Sequence, residues 1–173
     1  MTSRKSFINE LQATWNIIRL SETKIKDLQK FVHYFNDFFL LCEGEIGSAE
    51  GLLKACPPSK NIRKDKFILG VYDGKKLKGV IDLIRDYPAD GIWTIGYFLI
   101  HPASRGNHMG YNFIKDVEKS LIHQSAVKLR CGVQEQNINA LRFWLKCDFE
   151  IVDKILETLG KSKHLTYILE KSL

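Results

Sequence analysis

The 173-residue chain is poor in cysteine, with only Cys42, Cys56, Cys131 and Cys147. None of the four is spaced C-x-x-C and no histidine stands at zinc-finger spacing beside them, which argues against a zinc module or a redox motif. They are expected to be reduced thiols, mostly buried, and no metal site is read. Long apolar runs are also missing. "FFLL" and "GYFLI" are core-sized and too short to span a bilayer, so no membrane association is expected. The first residues, "MTSRKSFINELQATWN", lack a charged-then-apolar leader, and a cytoplasmic location is the expectation. No repeat, low-complexity tract or linker breaks the chain, which reads as one domain over residues 1–173.

Acidic residues are the scarcer charge: 20 against 26 Lys and Arg, for a net charge of +6 and a pI near 9.1. That balance suits polyanionic ligands, either nucleic acid or a small molecule carrying several phosphates. The basic residues form no block. Lys54, Lys60, Arg63, Lys64 and Lys66 surround one loop, and Lys75, Lys76 and Lys78 one turn. With no helix of clustered Arg and Lys and no stacking motif, nucleic-acid binding ranks low. At 45% apolar and 27% charged residues, the composition is that of an ordinary globular domain.

The pattern predicts a first strand in "ATWNIIRL" (13–20). A helix follows in "SETKIKDLQKFVHYF", with Ser21 as N-cap and Ile25, Leu28, Val32 and Phe35 as its stripe. A shorter helix near Ser48–Ala55 must stop before Pro57-Pro58. Two strands joined at Asp73-Gly74 come next, because both positions of such a hairpin turn favour positive φ. After "RDYPADG", "IWTIGYFLI" (92–100) is apolar on both faces, as a central strand is. Phe113, Ile114, Val117 and Leu121 mark an amphipathic helix from Gly110. A strand (126–133), a helix (137–147) and a closing pair of strands, "FEIVDKIL" and "HLTYILE", complete the chain. The expected fold is α/β, with a mixed, mostly antiparallel twisted sheet of about seven strands flanked by about four helices.

Between the central strand and the helix lies "HPASRGNHMG". The first turn of a helix leaves N–H groups unpaired, the macrodipole adds positive charge there, and Gly106 and Gly110 allow close approach. Such a junction cradles a phosphate, with Arg105 adding charge-assisted bonds. It also serves as an ordinary strand-to-helix turn, and the loop alone leaves both readings open.

Two stretches together resemble the GCN5-related N-acetyltransferases (GNAT). In "YFLIHPASRGNHMG" an apolar strand and a proline precede Arg-Gly-x-x-x-Gly at a helix start. In "VQEQNINALRFWLKCDF" a strand precedes Asn-x-x-Ala, with Asn137, Ala140, Trp144 and Phe149 in step. The detailed match runs from about Ile92 to Val152. Two positions depart from the pattern. His108 replaces the middle glycine, either facing solvent or donating to a phosphate. Asp148 replaces the glycine before Phe149 and is expected to keep its left-handed turn.

The resemblance implies a single GNAT domain using acetyl-CoA as co-substrate. Its diphosphate would lie on the N–H groups of Arg105, Gly106, Asn107, His108, Met109 and Gly110. The pantetheine arm would run beside Phe98, Leu99 and Ile100, where that strand splays from Lys128–Val133. The N–H of Phe98 or Leu99 would polarise the thioester carbonyl. Asn137 would reach the pantetheine or serve as an N-cap. Direct attack by a primary amine would follow, so much of the catalysis would be positioning.

The usual tyrosine acid of the family aligns with Trp144, which is no acid and reads as core. No Asp or Glu lies within Ile92–Ile100, and Gly132 stands where some relatives carry a catalytic glutamate. Tyr97, Asp82, His101 and Glu135 are the candidate bases, Tyr97 ranked first for its place near the reaction centre.

The acceptor pocket is expected between the first two helices, "RDYPADG" and the last hairpin. Tyr34, Phe35, Phe38, Phe39 and Tyr87 would be its walls or core, with Glu43, Glu45 and Asp86 attracting a cationic amine. A small-molecule or peptide amine is the implied partner, and a homodimer is compatible with the sequence. The rival readings are an acetyl-CoA-binding module with decayed chemistry and, ranked lower, a nucleic-acid binder.

Overall fold

Strand alternation divides the apolar residues of this chain into two sets, and each set is buried under its own group of helices. A computed structural model describes residues 6–159 and 161–173. Its strands are β1 (Ile17–Arg19), β2 (Lys66–Asp73), β3 (Lys76–Ile84), β4 (Ile92–Ile100), β5 (Lys128–Gln134), β6 (Glu150–Leu159) and β7 (Ser162–Ser172). They form one sheet in the order β1-β2-β3-β4-β5-β7-β6, with only β4 and β5 running parallel. Helices α1 (Phe7–Leu11), α5 (Met109–Ile122) and α6 (Ile138–Lys146) cover one face. Helices α2 (Ile25–Val32), α3 (Asn36–Glu43) and α4 (Ala49–Lys54) cover the other. The mixed, mostly antiparallel sheet of the sequence reading is thus present.

Several local signals act as read. Leu28, Val32 and Phe35 are buried on one stripe. Ser48 caps α4, accepting from Gly51 N–H at 3.1 Å, and α4 ends before the Pro57-Pro58 pair. Others differ. β1 keeps only Ile17–Arg19, because Ala13 and Thr14 are held by bonds back into α1. Ser21 caps nothing: its hydroxyl meets that of Thr23, and a 3-10 turn precedes α2. In the hairpin, Asp73 pairs with Lys76, so the turn residues are Gly74 and Lys75, and of these only Gly74 has positive φ. That is the glycine-first pattern of a II′ turn. The short α1 and α3 have no counterpart in the sequence pattern. Each is one to two turns long and is held by tertiary packing rather than by a long amphipathic repeat.

One irregularity sets up the rest of the molecule. Asp82 pairs with Tyr97 and Leu83 with Ile95, so Gly96 is an extra residue in β4. Such a bulge resets the alternation of a strand. Trp93 and Ile95 lie in the α1/α5/α6 core, whereas Tyr97 and Leu99 lie on the α2/α3/α4 side, with Phe98 turned back to the first. A Cβ at position 96 would stand 2.6 Å from Asp82 Oδ2, so the bulge needs a residue without one. That carboxylate is fixed by Lys66 Nζ at 2.6 Å, and both side chains are sealed from solvent.

Replacing Gly96 with Ala forces the Asp82–Lys66 pair or the bulge to move. The expected loss is about 1–3 kcal/mol, the scale of overpacking in a filled interior. Urea unfolding checks it. A variant as stable as the parent would show that Asp82 has room to yield.

Candidate active site

β4 and β5 share hydrogen bonds only from Ile92 to Ile95 and from Lys128 to Cys131. Beyond these residues β4 stays with β3 as far as Ile100, and β5 stays with β7 as far as Gln134. The two strands therefore part just past the bulge, and Gly96 and Gly132 are exposed at the opening. His101 N–H donates to Lys78 O on β3 at 2.8 Å. By strand alternation the main-chain groups of Leu99 also face β3, and those of Phe98 and Ile100 face the gap. Of the two donors expected to polarise a carbonyl, Phe98 N–H is the one directed there. Ile100 O accepts from Arg105 Nε at 3.0 Å.

The gap leads to the loop before α5. A 3-10 turn, Pro102–Ser104, follows β4. Gly106 (φ 80°) and His108 (φ 62°, ψ 4°) are left-handed, so His108 takes the conformation for which a glycine is suited. Arg105 N–H is bonded to Pro102 O and Met109 N–H to Asn107 Oδ1. These two amides, counted in the sequence reading among the phosphate donors, are thus already engaged. The N–H groups of Gly106, Asn107, His108, Gly110 and Tyr111 have no acceptor among the described residues. They lie at the N-terminal end of the 14-residue α5, where the dipole also favours an anion. Arg105 folds back toward β4, its guanidinium 5.6 Å from the Phe35 ring, with both Nη groups uncommitted among the described residues.

Residues proposed for chemistry fall into distinct environments. Tyr97 O–H donates to Glu43 Oε1 at 2.6 Å. Burial, and then that carboxylate, hold the phenol well above its ordinary pKa, so Tyr97 is a proton-bearing donor and not a base. Asp82 is sealed from solvent with Lys66 beneath the bulge, and burial, opposed by Lys66, pushes it up to about 6. His101 caps the 3-10 turn through Nδ1 and packs on Tyr34, beyond the end of β4. Glu135 is exposed and paired with Lys154. Trp144 is buried among Phe98, Phe143 and Phe149, the core role read for it. Asn137 caps α6, accepting from Ala140 N–H at 3.3 Å. Asp148 is left-handed (φ 67°), as read, and Lys115 beside it lowers its pKa.

The surroundings expected for an acceptor are divided. Tyr87 and Asp86 lie at the start of β4, where Tyr87 N–H bonds Ile92 O and Asp86 bonds Gly91 N–H. Five residues of strand, roughly 16 Å, separate Ile92 from Tyr97, so "RDYPADG" stands at the paired end and not at the opening. Phe35 and Phe39 are core, and Phe39 packs on Tyr97. Tyr34 is exposed. The end of α3 and the last hairpin do meet over the opening: Lys161 N–H donates to Glu43 O and Lys161 pairs with Glu45. Beside them, Gln136 contacts both Leu41 O and His164. Glu43 is the residue whose place the sequence reading undervalued. Its partner Tyr97 lies 54 positions away, and no local pattern joins them. All four cysteines are free, and no His, Cys, Asp and Glu group among the described residues could hold a metal.

Residues 28–149 match the model of the acetyltransferase (GNAT) family, and the chain belongs to that family. No curated protein matches the sequence. Among solved structures, an acetyltransferase from Thermus thermophilus is similar with a TM-score of 0.71 at 17% identity, over 92% of this chain and 97% of that one. The PaiA N-acetyltransferase of Thermoplasma acidophilum, solved with coenzyme A, gives 0.67 at 19% identity, over 92% and 99%. The ribosomal-protein-S18-alanine N-acetyltransferase of Escherichia coli gives 0.68 at 9% identity, over 91% and 92%. Acetyl-CoA or CoA is the co-substrate typical of this family. The residues present fit it: uncommitted amides at a helix mouth suit its diphosphate, and the parted strand edge suits its amide-bearing arm.

If the backbone of residue 108 matters and its imidazole does not, His108→Gly should raise stability by about 0.5–1 kcal/mol by relieving the left-handed strain. Acetyl-CoA affinity, measured by calorimetric titration, should stay within about threefold of the parent, since the donors are main-chain groups. A tenfold loss would assign the anion contact to the imidazole.

Proposed function

We propose that this protein moves the acetyl group of acetyl-CoA to a primary amine by direct attack, with the catalytic work done mostly by positioning. The carrying observation is the continuity of two features. The gap where β4 leaves β5 runs into the loop whose Gly106, Asn107, His108, Gly110 and Tyr111 amides are unpaired among the described residues. Those amides, with Arg105, hold the diphosphate. Phe98 and Ile100 present main-chain groups to the pantetheine amides, and Phe98 N–H polarises the thioester carbonyl. Bound acetyl-CoA supplies an acetyl group already activated as a thioester. The α3 side of the gap, closed by the last hairpin, receives the amine.

A second reading has its own observation. Trp144 is packed into the core where the family's tyrosine acid is expected, and Gly132 leaves β5 without a carboxylate at the gap. It predicts a domain that binds acetyl-CoA without turning it over.

Thermal-shift titration with acetyl-CoA, CoA and ATP, followed by thiol release on a panel of amines, separates the readings. The first expects both CoA species to stabilise the protein more than ATP does, with thiol release on at least one amine. Stabilisation without release across the panel would establish the second. Gly110→Val should abolish the CoA shift. A Cβ at position 110 already meets Phe143 at 3.4 Å, so Gly110→Ala is the milder companion, expected to fold and to weaken the shift. A full shift in both variants would remove the diphosphate from this loop.

A further inference from the structure

The carboxylate that lies beside the opening belongs to neither strand. Glu43 ends α3, and its Oε1 accepts from Tyr97 O–H at 2.6 Å. Tyr97 is the second β4 residue past the last one paired with β5, directly after the exposed bulge at Gly96. The main chain of Glu43 is tied to the last hairpin through Lys161 N–H at 2.9 Å. The residue is thereby held between the β4 edge and the hairpin, astride the parting of the strands. It is half-buried, and Oε2 has neither a hydrogen-bond nor an ionic partner among the described residues.

The nearby charges leave that oxygen uncompensated. On β3, Asp82 is neutralised by Lys66 within the sheet. On the hairpin, Lys161 turns to Glu45. On β7, His164 Nδ1 is engaged with Gln136. On α3, Cys42 is buried and burial pushes its thiol up to about 11, so it carries no charge near neutrality. Tyr97 on β4 donates rather than accepts. A reachable carboxylate with one fixed and one free oxygen has the form of a receiver for a cation that can lose a proton.

We propose that Glu43 is the catalytic base of the acetyl transfer and the residue that selects a protonated primary amine as acceptor, with Tyr97 as its positioning residue. This rests on the acetyltransferase reading above. The ammonium docks on Oε2 and gives it one proton. The nitrogen lone pair then forms the C–N bond at the thioester carbonyl, and the C–S bond breaks with its electrons leaving on sulphur. The second N–H proton passes to the thiolate, so the products are the acetamide and free CoA thiol. Glu43 returns its proton to solvent through the opening. No oxidant, metal or further reactant is needed.

Thiol release from acetyl-CoA is followed with three probes: spermidine, tyramine and an alanine-terminated hexapeptide. The best of the three is carried through a pH series that starts near 6 and ends above the pKa of its own amine, about 7.7–8.0 for the peptide's α-amine and about 10.4 for an alkylamine. Glu43→Gln should lower kcat by about 10²-fold or more near neutral pH, with acetyl-CoA affinity and Tm near those of the parent. The deficit should shrink toward high pH, where the amine arrives already neutral; a mere packing defect would be flat. Glu43→Asp, which keeps a carboxylate, should retain more activity than Glu43→Gln. Tyr97→Phe should lower kcat about tenfold without changing the KM for acetyl-CoA. Parent activity with Glu43→Gln within twofold of it at every pH would overturn the role of Glu43 and leave the acetyltransferase reading standing. No transfer by the unaltered protein to any of the three amines would overturn both.

Discussion

A carboxylate under a glycine decides the geometry of this protein. Asp82 of β3 lies under Gly96 of β4, where Lys66 of β2 reaches across to it, and only a residue without a Cβ can pass over it. Gly96 does so as an extra residue in the ladder. Bulges bend a strand and raise its twist, and here the bend coincides with the loss of pairing to β5. A β4 paired with β5 along its whole length would bury the main-chain groups of Phe98 and Ile100 in sheet bonds. The ion pair is itself weak evidence for stability, since two desolvated charges scarcely recover the loss of water. Its worth lies in shape: Asp82 Oδ1 is buried without a hydrogen-bond partner among the described residues, a cost tolerated where the fold needs a fixed object in that place.

The other wall of the opening is aromatic. Phe98 leans on Phe113 of α5 and on Phe143 and Trp144 of α6, and Trp144 continues to Phe149 at the head of β6. One cluster therefore sets the seat of the strand edge, the α5 helix and the α6 helix together. Gly110, in the first turn of α5, stands against Phe143 of the same cluster. The loop amides and the strand edge are consequently fixed by common neighbours, as a cofactor touching both requires. Trp144 serves that purpose with an indole whose N–H can donate a hydrogen bond but cannot give up its proton in the physiological range.

Signals carried by adjacent residues were legible. The bounds of β4, the opening of α5, the Asn137 cap and the left-handed Asp148 each depend on a few neighbouring positions, and each is where the sequence placed it. For the loop proposed to hold the diphosphate, the strand-to-helix junction was legible but the list of free amides was not. Nothing local shows that Pro102 O takes the Arg105 amide or that Asn107 takes the Met109 amide. The bulge was illegible because a glycine in a strand reads as weakness until the object across the ladder is known. "RDYPADG" lies at the paired end of β4, away from the opening, and adjacency in sequence says nothing of which end of a strand opens. The pairing of Glu43 with Tyr97 joins a helix that was not read to a strand that was.

Two carboxylates on one face of this sheet have opposite fates, and environment separates them. Asp82 is closed off, its Oδ2 held by an ammonium, and burial moves it toward protonation even against that partner. Glu43 lies where α3 ends, with no cation paired to it among the described residues and a phenol in place of an ammonium. A neutral donor orients a carboxylate without cancelling its charge, which an ion pair would do. The phenol is in turn held protonated by burial and by the carboxylate it serves, so the pair sustains its own hydrogen-bond direction. In a chain of net charge +6, that carboxylate at the parted edge of the sheet has no cation paired to it among the described residues, and under the proposed function it would draw a cationic acceptor to one side of the opening and leave the other side to the anionic donor.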